Sequence, residues 1–172
     1  KKSMKKVEEF QIYVVDDNDL FLSAIVRGLR EKIKCSVKGF TCGEACLLEI
    51  AENKPDLVVT DFNLDSDFSH KMNGDRLLSY IKKNMPHVPV LVYSGYNNVG
   101  QAVSLIKEGA NDYILKQNLT RLPQAIQQSL ENKRLERERQ IAVENLYQKN
   151  QELSTLVHRC SHDLRGPLTS LM

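Results

Sequence analysis

Five short apolar runs punctuate the chain, and helix-patterned segments separate them. Ile12-Tyr13-Val14-Val15, Leu57-Val58-Val59 and Val90-Leu91-Val92-Tyr93 are strand-like, and the second is apolar without alternation. That is the mark of strands buried on both faces, as in a parallel sheet. Cys35 to Phe40 alternates and predicts another strand, and Tyr113 to Lys116 a short fifth. Leu22, Ile25, Val26 and Leu29 recur at helical spacing behind a capping Asn18 or Asp19. Thr41-Cys42-Gly43-Glu44 has the capping-box pattern and opens a helix through Leu47, Leu48 and Ile50, which Pro55 ends. Leu77, Leu78 and Ile81 mark a helix after Gly74, and Val99, Val103 and Ile106 mark one stopped by Gly109. Pro86 and Pro89 bracket a turn, and Gly95 predicts a sharp one after the fourth strand. Strands alternating with helices predict an α/β fold with a five-stranded, parallel, doubly wound sheet.

Beyond Lys116 the pattern changes. Pro123 fits the first turn of a helix, and no Pro or Gly follows from Gln124 to Arg165. A helix over that span is roughly 60 Å long at a rise of about 1.5 Å per residue. Ile126 and Leu130 should cover the sheet, and the charges of Glu131, Arg134 and Glu138 stand at helical pairing distance. Leu146, Leu153, Leu156 and Cys160 then step by 7, 3 and 4, the spacing of a coiled-coil seam. The expected partner of that stripe is a second copy, giving a homodimer. The expected organisation is a tail over residues 1–9, an α/β domain over 10–130, a coiled-coil linker over 131–157 and a further helical segment over 158–172.

Composition narrows the function classes. Hydrophobic residues make up 41% and charged residues 27% of 172, which supports a packed core. A net charge of +2 does not argue for nucleic acid. No apolar run approaches a membrane span, and no apolar segment follows the N-terminal lysines as in a signal peptide. The four cysteines form no C-x-x-C pair and read as reduced, in a cytoplasmic protein. Cys42 and Cys46, and His158 and His162, have the spacing of ligand pairs, but neither pair supplies four zinc ligands.

The strands end in Asp16-Asp17, Asp61, Ser94 and Lys116. In a parallel sheet those ends share one edge, where open α/β folds bind ligands. Several carboxylates there need a compensating charge, and a hard cation such as Mg²⁺ provides it. A cation, a lysine, a hydroxyl and one nucleophilic carboxylate are the parts needed to move a phosphoryl group onto Asp61. Each acid alone is as well explained as a turn former; the conjunction at successive strand ends is not.

Residues 10–130 resemble the receiver domain of two-component response regulators. The resemblance rests on Val14-Val15-Asp16-Asp17, Val59-Thr60-Asp61, Val92-Tyr93-Ser94-Gly95 and Tyr113-Ile114-Leu115-Lys116, in that order. It implies a flavodoxin-like fold with Asp61 as phosphoacceptor. It implies Mg²⁺ ligation by Asp17, Asp61 and the main-chain carbonyl of Asn63, with Asp16 helping. It further implies Ser94 and Lys116 as phosphoryl contacts and Tyr113 as an aromatic switch. Two features depart from the family: Gln117 replaces the proline after the lysine, and the stretch from Asp61 to Gly74 is long. Within that stretch Asp65, Asp67 and His70 read as a solvated loop.

A second resemblance lies at Ser161-His162-Asp163-Leu164-Arg165-Gly166-Pro167-Leu168. It is similar to the H-box of sensor histidine kinases, which implies His162 as a phosphoacceptor and Asp163 as its orienting base. Gly166 stands where phosphatase-competent members carry Thr or Asn. The expected function is phosphorelay signalling, in which Asp61 phosphorylation acts through a dimeric helix on a kinase core at His162. The expected partners are a cognate histidine kinase or response regulator. The alternatives are a phosphate sink or relay for His162, and an unphosphorylated dimerisation scaffold.

Overall fold

The computed structural model describes residues 10–64 and 72–165. Asp65, Asp67, His70, Gly166, Pro167 and the N-terminal lysines lie outside the described residues. Strands β1 (Gln11–Val15), β2 (Ser36–Phe40), β3 (Leu57–Asp61), β4 (Val90–Ser94) and β5 (Asp112–Leu115) form one sheet in the order β2-β1-β3-β4-β5. All pairs are parallel. This is the parallel sheet that the alternation predicts, in the flavodoxin-like architecture that the resemblance implies. β3 and β4 are buried at every residue, which is why their sequences lack polar alternation.

The helices are α1 (Asp19–Lys32), α2 (Gly43–Glu52), α3 (Gly74–Asn84), α4 (Val99–Lys107) and α5 (Leu122–Arg165). Leu22, Ile25 and Leu29 of α1 share one core with Leu122, Ala125, Ile126 and Leu130 of α5. Cys46 and Ile50 of α2, Leu77, Leu78 and Ile81 of α3, and Leu105 of α4 share the other. The sheet thus separates two apolar layers.

Local details correct several expectations. Asn18 does cap α1, its side chain accepting from Phe21 N at 3.0 Å. Before α2 the capping box does not form. The N-cap is Cys42, without a side-chain bond, and Glu44 accepts instead from Met72 N at 2.8 Å. Of the apolar residues that marked α4, Val99, Val103 and Ile106 are 73%, 48% and 47% exposed. Leu105 alone is buried there, so the apolar stripe of α4 faces outward. Leu48 of α2 is likewise exposed. The turn after β4 does not draw on the special freedom of Gly95; the positive-φ glycine among the described residues is Gly109, at φ 107 after α4. β5 ends one residue early, so that Lys116 opens a 3-10 helix (Lys116–Arg121) containing Gln117.

At the amino edge of the sheet, Asp56 accepts from Gln11 N at 3.0 Å and from Lys133 Nζ at 3.1 Å. Two compact units divide between Lys133 and Arg134. In the second, Leu146, Leu153, Leu156 and Cys160 are all exposed, and Arg134 Nε lies 3.9 Å from Glu138 Oε1. Among the described residues, no helix is long and apolar enough to cross a membrane.

Candidate functional site

The register builds the site. Val15 pairs with Thr60, so Asp16, one residue on, stands beside Asp61. Asp61 pairs in turn with Tyr93, and Tyr93 with Ile114. Acids from β1 and β3 and an aromatic from β4 therefore form one row across the carboxyl edge. Ser94 ends β4, and Lys116 follows the last residue of β5.

Asp16 and Asp61 are buried, at 0% and 2% exposure, whereas Asp17 is exposed. Carboxylate oxygens of the three lie within 4.8 Å of one another. Lys116 Nζ bridges two of them, 2.6 Å from Asp61 Oδ2 and 3.3 Å from Asp16 Oδ2. Asp61 Oδ1 accepts from Asn63 N at 3.2 Å, and Asp16 Oδ1 from Asn18 N at 2.8 Å. Burial foremost, and Asp16 beside it, push the Asp61 carboxyl above its ordinary range against the pull of Lys116. Burial opposes the Lys116 ammonium, but the Asp61 and Asp16 carboxylates outweigh it and hold its proton above the ordinary value. One lysine does not balance three carboxylates. The donor set is all hard oxygen, one member is open to solvent, and it fits a small divalent cation. No second cluster of three metal-ligating side chains occurs among the described residues. Burial pushes the Cys46 thiol up to about 12, which removes it as a thiolate ligand at neutral pH.

Ser94 is fully buried, and its Oγ accepts from Tyr96 N at 3.2 Å. Tyr113 is half-buried, its hydroxyl donating to Tyr96 O at 2.8 Å. Tyr96 is thereby bonded to both Ser94 and Tyr113. His162 and Asp163 belong to the second unit, with Nδ1 and Oδ1 3.9 Å apart and both side chains 85% exposed.

Sequence reasoning passed over Tyr93 and Phe21. The Tyr93 hydroxyl, fully buried, donates to Asp16 Oδ2 at 2.8 Å. Lys116 Nζ stands 4.7 Å from the Phe21 ring centroid and 5.3 Å from that of Tyr93, a cation–π seat. One signal was available: a tyrosine in an otherwise aliphatic buried strand must find its hydroxyl a partner.

The chain is similar to several characterised proteins. It is 37% identical over 128 residues to the nitrogen assimilation regulatory protein NtrX of Azorhizobium caulinodans, covering 74% of this chain and 27% of that one. The crystal structure of NtrX from Brucella abortus superposes with a TM-score of 0.67 at 32% identity, over 76% of this chain and 28% of that one. A receiver domain protein from Clostridium thermocellum does so with a TM-score of 0.64 at 29% identity, over 73% of this chain and 98% of that one. The chain thus spans about a quarter of the length of the NtrX proteins and nearly all of an isolated receiver. The model of the response regulator receiver domain matches residues 12–127. With the parallel β2-β1-β3-β4-β5 sheet and the acids, hydroxyl and lysine at its carboxyl edge, this makes the chain a member of the response regulator receiver domain family.

Proposed function

We propose that this chain is a phosphorelay receiver that takes a phosphoryl group on Asp61. The observation that carries the reading is Lys116 Nζ set between Asp61 Oδ2 and Asp16 Oδ2 at the sheet edge. An Asp61 oxygen attacks phosphorus, the bond from phosphorus to the donor's leaving nitrogen or oxygen breaks, and the leaving group takes a proton. Lys116 and the Ser94 hydroxyl then meet the phosphoryl oxygens, where charge develops. Asp17, Asp61 and the carbonyl of Asn63 would hold Mg²⁺, with Asp16 helping, and the ion would supply charge neutralisation when bound. Tyr113 is the switch residue of this reading, since Tyr96 is bonded to both it and Ser94.

The test is labelling by a small phosphodonor such as acetyl phosphate. Wild type is expected to gain one Mg²⁺-dependent acyl phosphate and Asp61→Asn none. Equal labelling of the two, or no labelling of wild type where other receivers react, sinks the proposal and leaves the scaffold alternative.

The output we propose is a homodimer through α5, acting on a histidine kinase core that opens at His162. Two observations favour it: α5 carries both Ile126, buried in the receiver core, and His162, and its Leu146, Leu153 and Leu156 are exposed. A solvent-facing apolar stripe at heptad spacing calls for a partner helix. Cysteines at Leu146 and Leu153 are expected to crosslink between copies, with a yield that changes on phosphorylation. A chain that stays monomeric overturns the dimer; identical yields in both states overturn the coupling.

A further inference from the structure

The metal reading gives no task to the buried hydroxyl of Tyr93. It sits among aliphatic strand residues, fully buried, and its partners are Asp16 Oδ2 at 2.8 Å and Val15 O at 3.3 Å. Asp16 is itself wholly buried. Its Oδ1 is taken by Asn18 N–H, and its Oδ2 by both Tyr93 and Lys116. A carboxylate offers about four acceptor positions, so protein donors already occupy three on Asp16. A buried anion supplied this way is solvated by the protein and gains less from a further cation.

We propose that Tyr93 is a positioning residue that turns Asp16 inward and lowers the affinity of the site for Mg²⁺. Among the three acids, direct coordination is thereby left to Asp17 and Asp61, with Asp16 contributing its field. The inference rests on the metal reading above. The Tyr93 ring has a separate role beside Phe21, as a face for the Lys116 ammonium. Tyr93→Phe keeps that face and the packing volume and deletes only the hydroxyl.

Mg²⁺ titration followed by the backbone amide signals of residues 60–63 tests this without any turnover. Tyr93→Phe is expected to lower the Mg²⁺ dissociation constant by about threefold to tenfold, a part of what one hydrogen bond to a charged group is worth. In an Asp16→Asn background the same substitution should leave the constant unchanged, because the effect passes through that carboxylate. A ring-fluorinated tyrosine at position 93, a stronger donor in the same volume, should raise the constant. An unchanged or raised constant in Tyr93→Phe overturns the proposal, as does an equal effect with and without Asp16. Should Tyr93→Phe not fold, the fluorinated protein decides alone: a constant that does not rise overturns the proposal. A wild-type chain whose amides do not respond to Mg²⁺ overturns the metal reading and this inference with it.

Discussion

Gly74→Ala is expected to cost more than the same change at any other described glycine. A Cβ there would stand 2.2 Å from the Asp61 carbonyl oxygen, 2.9 Å from Phe62 Cα and 3.0 Å from Phe62 O. All three are backbone atoms, so no rotamer change relieves the clash. Either α3 retreats from the end of β3 or the Asp61 peptide turns. Retreat loosens Leu77, Leu78 and Ile81, all fully buried; turning moves the proposed phosphoacceptor. We expect a loss of about 3 kcal/mol or more, at the upper end of overpacking effects. That corresponds to a fall in Tm of at least ~10 °C for a domain of this size. Calorimetry of the variant checks it, and a Tm within about 2 °C of wild type would refute the close approach of α3 to β3. Labelling should fall more steeply than the folded fraction, because the strained atom belongs to Asp61 itself.

Lys116→Met is the second large change. It removes the cation between two buried carboxylates and keeps most of the side-chain volume. Phosphodonor labelling is expected to slow by about a hundredfold or more, the scale seen on removing a donor from developing charge. The same substitution has a signature in stability. Burial raises Asp61 above its ordinary 3.8, with Lys116 partly offsetting the rise. The folded chain therefore binds this proton more readily than the unfolded one. Stability falls as pH climbs from that ordinary value through the raised one, and the cost is complete above it. Lys116 works the other way: its contribution is complete below its ordinary 10.5 and is lost as pH passes its raised folded value. Without Lys116, Asp61 titrates higher still, and the acidic decline deepens and extends toward neutral pH. Thermal melts from pH 3 to 8 without divalent cations should show Lys116→Met declining more steeply than wild type, and Asp61→Asn lacking this component. Parallel curves for wild type and Lys116→Met would contradict the bridge. Mg²⁺ should flatten the difference, since it supplies the missing positive charge.

The fold was open to reading because its central strands are buried on both faces, so Leu57-Val58-Val59 and Val90-Leu91-Val92 announce themselves by composition alone. The row of strand ends was open for the same reason: parallel pairing turns sequence order into spatial adjacency. Cross-strand and cross-loop contacts were less accessible. Glu44 reads as a capping-box partner from its spacing, yet it is drawn to Met72 N across 28 positions of chain, which local pattern does not encode. The apolar residues of α4 have helical spacing but face outward, because periodicity reports an amphipathic helix and not what covers it. The two-residue link from Tyr93 to Asp16 failed to register for a different reason. It needs the strand register, and a slip of one residue would send Tyr93 to the opposite layer.

Asp56 sits at the rim of the sheet opposite Asp61, where it gathers the start of β1 and Lys133 of α5 into one knot. Reactive groups and anchoring groups thus occupy opposite rims. Lys133 is also the last residue of the first compact unit. The side chains proposed for the chemistry at Asp61 all lie in that unit, so a chain ending at Lys133 is expected to label at Asp61 like the full chain. The similarity to the NtrX proteins likewise spans about three-quarters of this chain and about a quarter of theirs.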